Sequence, residues 1–465
     1  MASWDERPVS RTGGSGGLLQ RTAGAMLLWV VAIVVAAVPV LVARGGDSTT
    51  ALPPVTASGT ASTASGEPAE EPLLFDPAPP IGPALARVAA LTELGRKLFD
   101  DATLSASGKM ACASCHSPAH GFGPPDAASV RMGGANLHRP GTRAVPGLAY
   151  AQFSPFFDEH HHEEEDEADG GLDVGPTGGR TWDGRVNRGR EQAGIPLLAP
   201  NEMANKDPAS VVAKVAAANY APDLRAIYGD KIFGDPPRAF AAISEALEVY
   251  QENPPEFAAF TSKYDAFLLG RAQLTEQELR GLAAFNDPQR GNCAHCHISR
   301  LSARGALPLF TDFGFVALGA PRNKTIPANA DPAYFDLGLC GPDRRDLADH
   351  KEYCGLFKTP SLRNVVLRPV FFHNGVFTKL RDAVAFYADR DVNPGRWYPT
   401  NKDGSVQQYD DLPAEYHKNV NREPPFDRNP GDAPALNEQE ITDITAFLTT
   451  LTDGFSQPAR PLAKK

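Results

Sequence analysis

Positive charge is scarce in this 465-residue sequence, which has 45 Lys and Arg against 56 Asp and Glu and a formal net charge of −11. A nucleic-acid-binding face needs clustered Lys and Arg, so no nucleic-acid partner is expected. Cysteine is also scarce, and six residues in a chain of this length exclude the dense disulfide framework of a small secreted scaffold. Alternating strand-like runs are few, which predicts a mostly α fold.

Long uncharged runs are rare as well, and the main one is MLLWVVAIVVAAVPVLVA at residues 26–43. Its length is about the minimum for a membrane-spanning helix, roughly 18 residues. Arg7, Arg11 and Arg21 precede it, so the positive-inside rule predicts a cytoplasmic tail at residues 1–25 and export of the chain beyond. A cleaved signal peptide is the alternative. Both interpretations predict a periplasmic or extracytoplasmic protein, and the first anchors it in the cytoplasmic membrane.

The exported part divides by composition into a linker and two halves. Residues 44–80 are rich in Ser, Thr, Ala, Gly and Pro, which predicts a flexible, disordered tether. A helical apolar pattern then precedes each of two similar cysteine motifs, and this weak repeat predicts two related α-helical domains at 81–255 and 256–465. Capping boxes are predicted at Thr275–Glu278 and Asn437–Glu440. Further helices are predicted at 208–218, 236–251, 255–269, 379–389 and 437–452.

Both cysteine motifs have the pattern Cys-x-x-Cys-His. They consist of Cys112, Cys115 and His116 in MACASCHS, and of Cys293, Cys296 and His297 in GNCAHCHI. This pattern is the attachment signature of c-type haem: two thiols bind the vinyl groups of one haem, and the histidine offers its imidazole to the iron. A zinc site and a thioredoxin-like pair are the alternatives. The wide separation of the motifs and the predicted export favour two covalently bound haems c.

Two cysteines remain outside the motifs, Cys340 and Cys354. An exported location permits a disulfide between them. Closing this loop stabilises a fold by about 3 kcal/mol in the loop-entropy description. Two buried free thiols are the alternative.

Methionine is the third scarce residue, and none follows Met203. A methionine is the usual sixth ligand of an electron-carrying haem c, whereas a haem with an open sixth position does chemistry. The haem of the second motif therefore has no nearby methionine in the sequence. Its candidate ligands are His350, His373, His417 and several tyrosines.

Four stretches resemble the bacterial di-haem cytochrome c peroxidases, a family that includes the MauG-type enzymes. They are LGRKLFDDATLSASGKMACASCH, TWDGRVNRGREQAGIPLLAPNEMAN, GLFKTPSLRNVVLRPVFFHNGVF and LRDAVAFYADRD. The resemblance covers about residues 84–453. It implies a tandem of two cytochrome c-like domains, with a peroxidatic haem in the N-terminal one and an electron-transfer haem in the C-terminal one.

The resemblance also implies roles for individual residues. Gln192, Pro196 and Glu202 fall at the spacing of the distal pocket over the His116 haem, where Glu202 would be the acid–base group. Trp182 matches the tryptophan between the two haems and would relay electrons, although an ordinary core tryptophan is the alternative. His138 lies two residues from the position of a loop histidine that caps this haem, and a hydrogen-bonded loop histidine is the alternative.

Tyr387 matches the distal ligand of the second haem, where MauG-type members have tyrosine. A tyrosinate would stabilise Fe(III) and lower the reduction potential. The family also binds one Ca²⁺ through carbonyls near Thr359 and Pro360. Ala144 stands where the family has an asparagine ligand, a departure that weakens the calcium prediction.

A run of acids at 158–169 is a further departure from the family. It is predicted to be a solvated loop at a partner surface, with a metal site at His160, His161 and His162 as the alternative.

The function implied is reduction of H₂O₂ to water with electrons from a small cytochrome c or a copper protein. Two other functions stay open. A MauG-like oxidase would use peroxide to oxidise residues of a partner protein, and a non-catalytic carrier would have two six-coordinate haems. A homodimer stays open as a further partner expectation.

Overall fold

A computed structural model describes residues 82–163 and 172–456. The predicted tail, membrane segment at 26–43 and linker lie outside the described residues, as do residues 164–169 of the acidic run. In the part of the chain that is described, no helix combines the length and apolarity needed to cross a membrane.

Helices dominate the described residues, which confirms the predicted mostly α class. The ten α-helices are α1 (Gly82–Asp100), α2 (Gly189–Leu198), α3 (Pro208–Ala217), α4 (Ala221–Tyr228), α5 (Pro236–Gln251), α6 (Pro254–Phe257), α7 (Lys263–Leu268), α8 (Glu276–Asn286), α9 (Leu380–Asp389) and α10 (Glu438–Thr449). Three antiparallel two-stranded pairs accompany them: β1 (Met132–Gly133) with β2 (Arg139–Pro140), β3 (His162–Glu163) with β4 (Leu172–Asp173), and β5 (Phe315–Val316) with β6 (Phe357–Lys358).

Apolar side chains form two main clusters that follow the chain order. The first extends from Leu91 to Phe257 and contains the inner faces of α1, α2, α3 and α5. The second extends from Tyr264 to Leu451 and contains those of α8, α9 and α10. The change of cluster lies close to the predicted domain boundary at 255/256, although the division into two domains stays a prediction.

The same helix crossing occurs once in each half, at a glycine. A Cβ on Gly95 of α1 would lie 2.0 Å from the Ala246 carbonyl oxygen of α5. A Cβ on Gly281 of α8 would lie 2.0 Å from the Asp443 carbonyl oxygen of α10. Only a residue without a side chain permits such a close approach of two helix backbones. The glycine-bearing helix of each crossing, α1 or α8, is the helix that precedes a cysteine motif. The repeat that is seen in the sequence is therefore also present in the structure.

Local capping confirms both predicted helix starts. The Thr275 hydroxyl accepts from the Glu278 N–H, and the Glu278 carboxylate accepts from the Thr275 N–H at 2.7 Å. The equivalent reciprocal bonds form between Asn437 and Glu440 at the start of α10.

The prediction of one continuous helix over 255–269 is wrong. The chain breaks between α6 and α7, where Phe260 adopts a φ of 48° and its N–H donates to the Tyr150 hydroxyl at 2.9 Å. Ser262 then caps α7 by accepting from the Asp265 N–H. A distant side chain and a new cap therefore override the apolar periodicity.

The predicted disulfide between Cys340 and Cys354 is present, with a Cα–Cα distance of 5.1 Å. It closes a loop in which Arg344 donates to the Asp183 carbonyl at 3.0 Å and Asp343 accepts from Arg185 at 3.1 Å. The loop thus holds the chain segment that follows Trp182.

Candidate active site

The first Cys-x-x-Cys-His motif forms a tight turn shortly after α1. The N–H groups of Cys115 and His116 donate to the Cys112 carbonyl at 3.0 and 2.9 Å. The His116 Nδ1 lies 3.0 Å from the Phe122 carbonyl, which can only accept, so Nδ1 carries the proton and Nε2 keeps its lone pair. Burial lowers the pKa of His116 to about 4, which keeps the imidazole neutral.

The second motif repeats this geometry after α8. The His297 N–H donates to the Cys293 carbonyl at 2.8 Å, and the His297 Nδ1 lies 2.9 Å from the Phe310 carbonyl. Burial lowers the pKa of His297 as well. Its thiols at Cys293 and Cys296 are free, and so are those at Cys112 and Cys115. Each turn therefore presents two thiols and one neutral imidazole with an available Nε2, which is the donor set that a c-type haem requires.

A large, mainly apolar cavity adjoins the second motif. It is lined on one side by Cys293, Cys296 and His297, and on another by Tyr387 and Phe426. Trp182 and Gln192, from the first half of the chain, line the same cavity. A planar apolar cofactor fits such a space, since the lining supplies hydrophobic contacts and the motif supplies the covalent and axial attachments.

Tyr387 of α9 is the tyrosine that faces the second motif. Burial raises the pKa of its hydroxyl, and the charges of Cys296 and Cys293 raise that pKa further. The hydroxyl therefore keeps its proton unless a cation such as ferric iron replaces it. No methionine is present among the described residues that line this cavity.

Glu202 lies in the turn that follows α2. Its N–H donates to the Ala199 carbonyl at 3.0 Å, and the next residue, Met203, donates to the Pro196 carbonyl at 3.0 Å. The β1–β2 hairpin supports this turn, since the Gly134 N–H donates to the Glu202 carbonyl at 2.8 Å. Pro196 thus acts here through its carbonyl, which anchors the turn.

The Glu202 carboxyl is accessible to solvent, yet burial raises its pKa. Of the nearby charges, Arg185 lowers the pKa of Glu202 and Asp343 raises it. Burial also raises the pKa of the Cys112 thiol to about 12, with further contributions from Cys115 and Glu202. Glu202 is therefore close to the first motif.

Trp182 is buried, and its orientation is fixed at both ends. Its indole Nε1 donates to the Ala144 carbonyl at 2.8 Å, and its own carbonyl accepts from the Lys358 N–H at 2.9 Å. These bonds hold the ring in the wall of the cavity next to the second motif.

Two predicted features are not brought to the site. His138 is exposed in the turn before β2, and its N–H donates to the Asn136 side chain at 3.2 Å. In the described ranges no group of three His, Cys, Asp or Glu side chains is arranged to hold a metal ion; part of the acidic run lies outside these ranges, so the alternative of a metal site at its three histidines stays a prediction. The Nδ1 of one of them, His160, instead lies 3.0 Å from Asp173.

The calcium prediction rests on carbonyl groups and stays a prediction. The Thr359 carbonyl accepts from the Thr311 hydroxyl at 2.7 Å, and Pro360 is exposed.

Four cavity-lining cations were not predicted from the sequence: Arg180, Lys358, Arg363 and Arg368. Burial and the charge of Arg180 lower the pKa of Lys358 to about 7. Only their positions in the sequence could have drawn attention to Arg180 and Lys358. Arg180 is two residues before Trp182, and Lys358 directly precedes the TPSLRN stretch.

Comparisons with known proteins agree with this geometry. The family model for di-haem cytochrome c peroxidase matches residues 89–273. Methylamine utilization protein MauG of Paracoccus denitrificans is 33% identical over 383 residues, covering 79% of this chain and 90% of that protein. Cytochrome c551 peroxidase of Nitrosomonas europaea is 25% identical, covering 81% and 84%. The crystal structure of the diheme peroxidase BthA from Burkholderia thailandensis has a TM-score of 0.68 and 38% identity, covering 78% and 86%.

The chain therefore belongs to the di-haem cytochrome c peroxidase and MauG family. As a member of this class of oxidoreductases it binds two c-type haems, and the two Cys-x-x-Cys-His turns have the donor sets for them.

Proposed function

We propose that this protein is an extracytoplasmic di-haem peroxidase that reduces H₂O₂ to water at the haem held by Cys112, Cys115 and His116. The observation that carries the proposal is the Glu202 carboxyl, which lies near these thiols with a pKa raised by burial. A carboxyl whose pKa is moved toward neutrality is suited to proton transfer at working pH.

The reaction consumes H₂O₂, two electrons and two protons and yields two molecules of water. The haem supplies the iron at which the O–O bond is cleaved and through which the electrons arrive. Glu202 accepts a proton from one oxygen of H₂O₂ and donates it to the other, which leaves as water. Gln192 lines the cavity, which also reaches His120 and Gly121 just after the first motif, and it would offer an amide for hydrogen bonding to the peroxide. The turn anchored on Pro196 keeps the Glu202 carboxyl in place.

Electrons from a small cytochrome c or a copper protein enter at the haem of Cys293, Cys296 and His297. Trp182 lies in the wall of the cavity that adjoins this haem site. Because two hydrogen bonds fix its orientation, the indole provides a rigid aromatic path toward the first haem. Trp182 is therefore assigned as the relay.

Tyr387 is the residue that would offer an oxygen ligand to the iron of the haem held by Cys293, Cys296 and His297. An anionic oxygen ligand stabilises Fe(III) relative to Fe(II) and lowers the reduction potential. The diferric protein would then react with peroxide without being reduced first.

Tyr387 also favours a second candidate, a MauG-like oxidase that uses peroxide to oxidise residues of a partner protein. The 33% identity to MauG of Paracoccus denitrificans supports it. The two functions differ in where the oxidising equivalents go, to a small electron donor or to a protein substrate. A non-catalytic carrier is disfavoured, because it has no use for a Glu202 carboxyl with a raised pKa near the first motif.

The experiment that tests the proposal compares Glu202→Gln with Glu276→Gln, an exposed glutamate at the start of α8. Both full-length proteins are checked for two haems, and peroxide consumption is measured with reduced cytochrome c. Glu202→Gln is expected to lower kcat/KM by about 10²- to 10⁴-fold, the usual contribution of an acid–base group. Equal rates in the two variants would refute the role of Glu202.

A further inference from the structure

Arg180 and Lys358 are two of the four Arg and Lys side chains that line the cavity beside the second haem motif; the others are Arg363, which is ion-paired with Asp265, and Arg368. The cavity lined by Cys293, Cys296 and His297 is also lined by Arg180 and Lys358. The two cations are close enough that the charge of Arg180 lowers the pKa of Lys358. Like charges brought together inside a protein need a compensating anion, because a buried cation without one is costly.

The protein itself supplies little of that compensation. The Lys358 ammonium donates to the Ser154 hydroxyl at 2.7 Å and to the Gly179 carbonyl, which are both neutral. An ammonium has three donors, so one is left. Within the described residues no Asp or Glu oxygen forms an ion pair with Lys358.

Arg180 is in a similar position. Its side chain is 10% exposed. Among the described residues its one ion-pair partner is Glu252, at 3.8 Å and 45% exposed, and Glu248 is a second acidic neighbour that raises the pKa of Arg180. The Nε of Arg180 is buried and has no hydrogen-bond partner among the residues that the structure describes. A buried guanidinium donor without a partner, facing a cavity, indicates a ligand with an acceptor group.

We infer that Arg180 and Lys358 bind a propionate carboxylate of the haem attached to Cys293 and Cys296. A haem carries two propionates, and a carboxylate is the acceptor that best matches an arginine fork and an ammonium. The inference depends on the c-type haem and not on the peroxidase activity.

Arg180 and Lys358 would also connect the second haem to Trp182, the proposed electron relay. The Lys358 N–H donates to the Trp182 carbonyl, and Arg180 is two residues before Trp182 in the chain. The residues that neutralise the propionate are therefore on the same backbone segments as the indole. Two cations beside a haem also favour its reduced form, which has one positive charge fewer. They oppose the effect of a tyrosinate ligand on the reduction potential.

The test measures the reduction potentials of both haems in full-length protein carrying two haems. The variants are Lys358→Met, Lys358→Arg and, as a control, Lys402→Met at an exposed lysine. Spectroelectrochemistry gives the potentials, and resonance Raman gives the propionate bending band. The haem at His297 is identified as the one whose ferric EPR signal changes in His297→Met, which alters the motif itself and does not depend on Tyr387.

Lys358→Met is expected to lower the potential of the haem at His297 and to shift its propionate band, while the other two variants match the wild type. Unchanged potential and band, or an equal shift at both haems, would overturn the inference. If Lys358→Met does not load two haems, Arg180→Met is judged by the same criteria. Peroxide is absent from these measurements, so failure of the proposed function leaves their outcome unaffected.

Discussion

Arg143 donates to both carboxylate oxygens of Asp336, from Nε at 2.6 Å and from Nη2 at 2.7 Å. Its Nη1 donates to Asp183, the neighbour of Trp182, at 2.6 Å. The Arg143 and Asp336 side chains are each 9% exposed, and the two residues come from different halves of the chain. This ion pair therefore fixes the segment that carries Trp182 against the second half.

Replacing Asp336 by Ala is expected to lower the free energy of unfolding by about 3 kcal/mol, because it leaves Arg143 buried with one acidic partner fewer. The control is Asp223→Ala, which removes an exposed ion pair with Lys97 and should cost less than about 1 kcal/mol. Urea unfolding of the haem-loaded protein, followed by circular dichroism, measures both. Equal effects would contradict the role given to the Arg143–Asp336 pair.

The glycines at the two helix crossings predict that the same substitution, Gly to Ala, destabilises both halves of the protein to a similar extent. Gly95→Ala and Gly281→Ala each place a Cβ against a helix backbone, and each should destabilise the protein by about 3 kcal/mol. Gly194→Ala in α2 is the control, since its Cβ would meet Phe240 at an ordinary 3.5 Å. The control should be neutral or stabilising by up to about 1 kcal/mol. Thermal unfolding distinguishes them, and tolerance of either crossing variant would argue against that helix contact.

The raised pKa of Glu202 predicts the acid limb of the pH profile. The carboxyl must be ionised to accept a proton, so kcat/KM should fall as the pH drops through this raised pKa, above the usual value of about 4.3. Asp343→Asn removes a negative charge that raises the pKa, so the limb should move to lower pH. Asp230→Asn, at an exposed site, should leave it in place. A limb that moves to higher pH in Asp343→Asn would contradict this assignment.

Tyr387→Met tests the proposed axial ligand. A neutral thioether stabilises Fe(II) relative to an anionic oxygen, so the potential of the haem at His297 should rise. Tyr416→Met is the control, at a partly exposed tyrosine of the second half. Spectroelectrochemical titration provides the comparison. The same potential in Tyr387→Met and in the wild type would mean that Tyr387 does not ligate the iron.

Features set by neighbouring residues could be predicted from the sequence. The cysteine motifs and the caps at Thr275 and Asn437 depend on contacts within a few residues. The break at Phe260 could not be predicted, because it depends on the hydroxyl of Tyr150, 110 positions away. Hydrophobic periodicity carries no information about such a partner.

The same distinction between local and long-range contacts applies to the residues of the candidate site. The haem-binding cysteines follow from their spacing, whereas Glu202 came from the family resemblance, since a lone glutamate after a helix is usually a surface residue. Arg180 and Lys358 were missed because their interest depends on sharing a cavity and on lacking acidic partners. Both properties arise from burial in three dimensions, which a linear pattern of charges does not show.

The most direct test adds one equivalent of H₂O₂ to the diferric, haem-loaded, full-length protein, follows the haem spectra, and then supplies reduced cytochrome c. The account predicts an immediate spectral change without prior reduction, and rapid return to the diferric spectrum as two cytochromes are oxidised per peroxide. A diferric protein that stays inert until it has received one electron would contradict the role of Tyr387. A spectral change that cytochrome c reverses only slowly would replace the peroxidase with the oxidase of a partner protein.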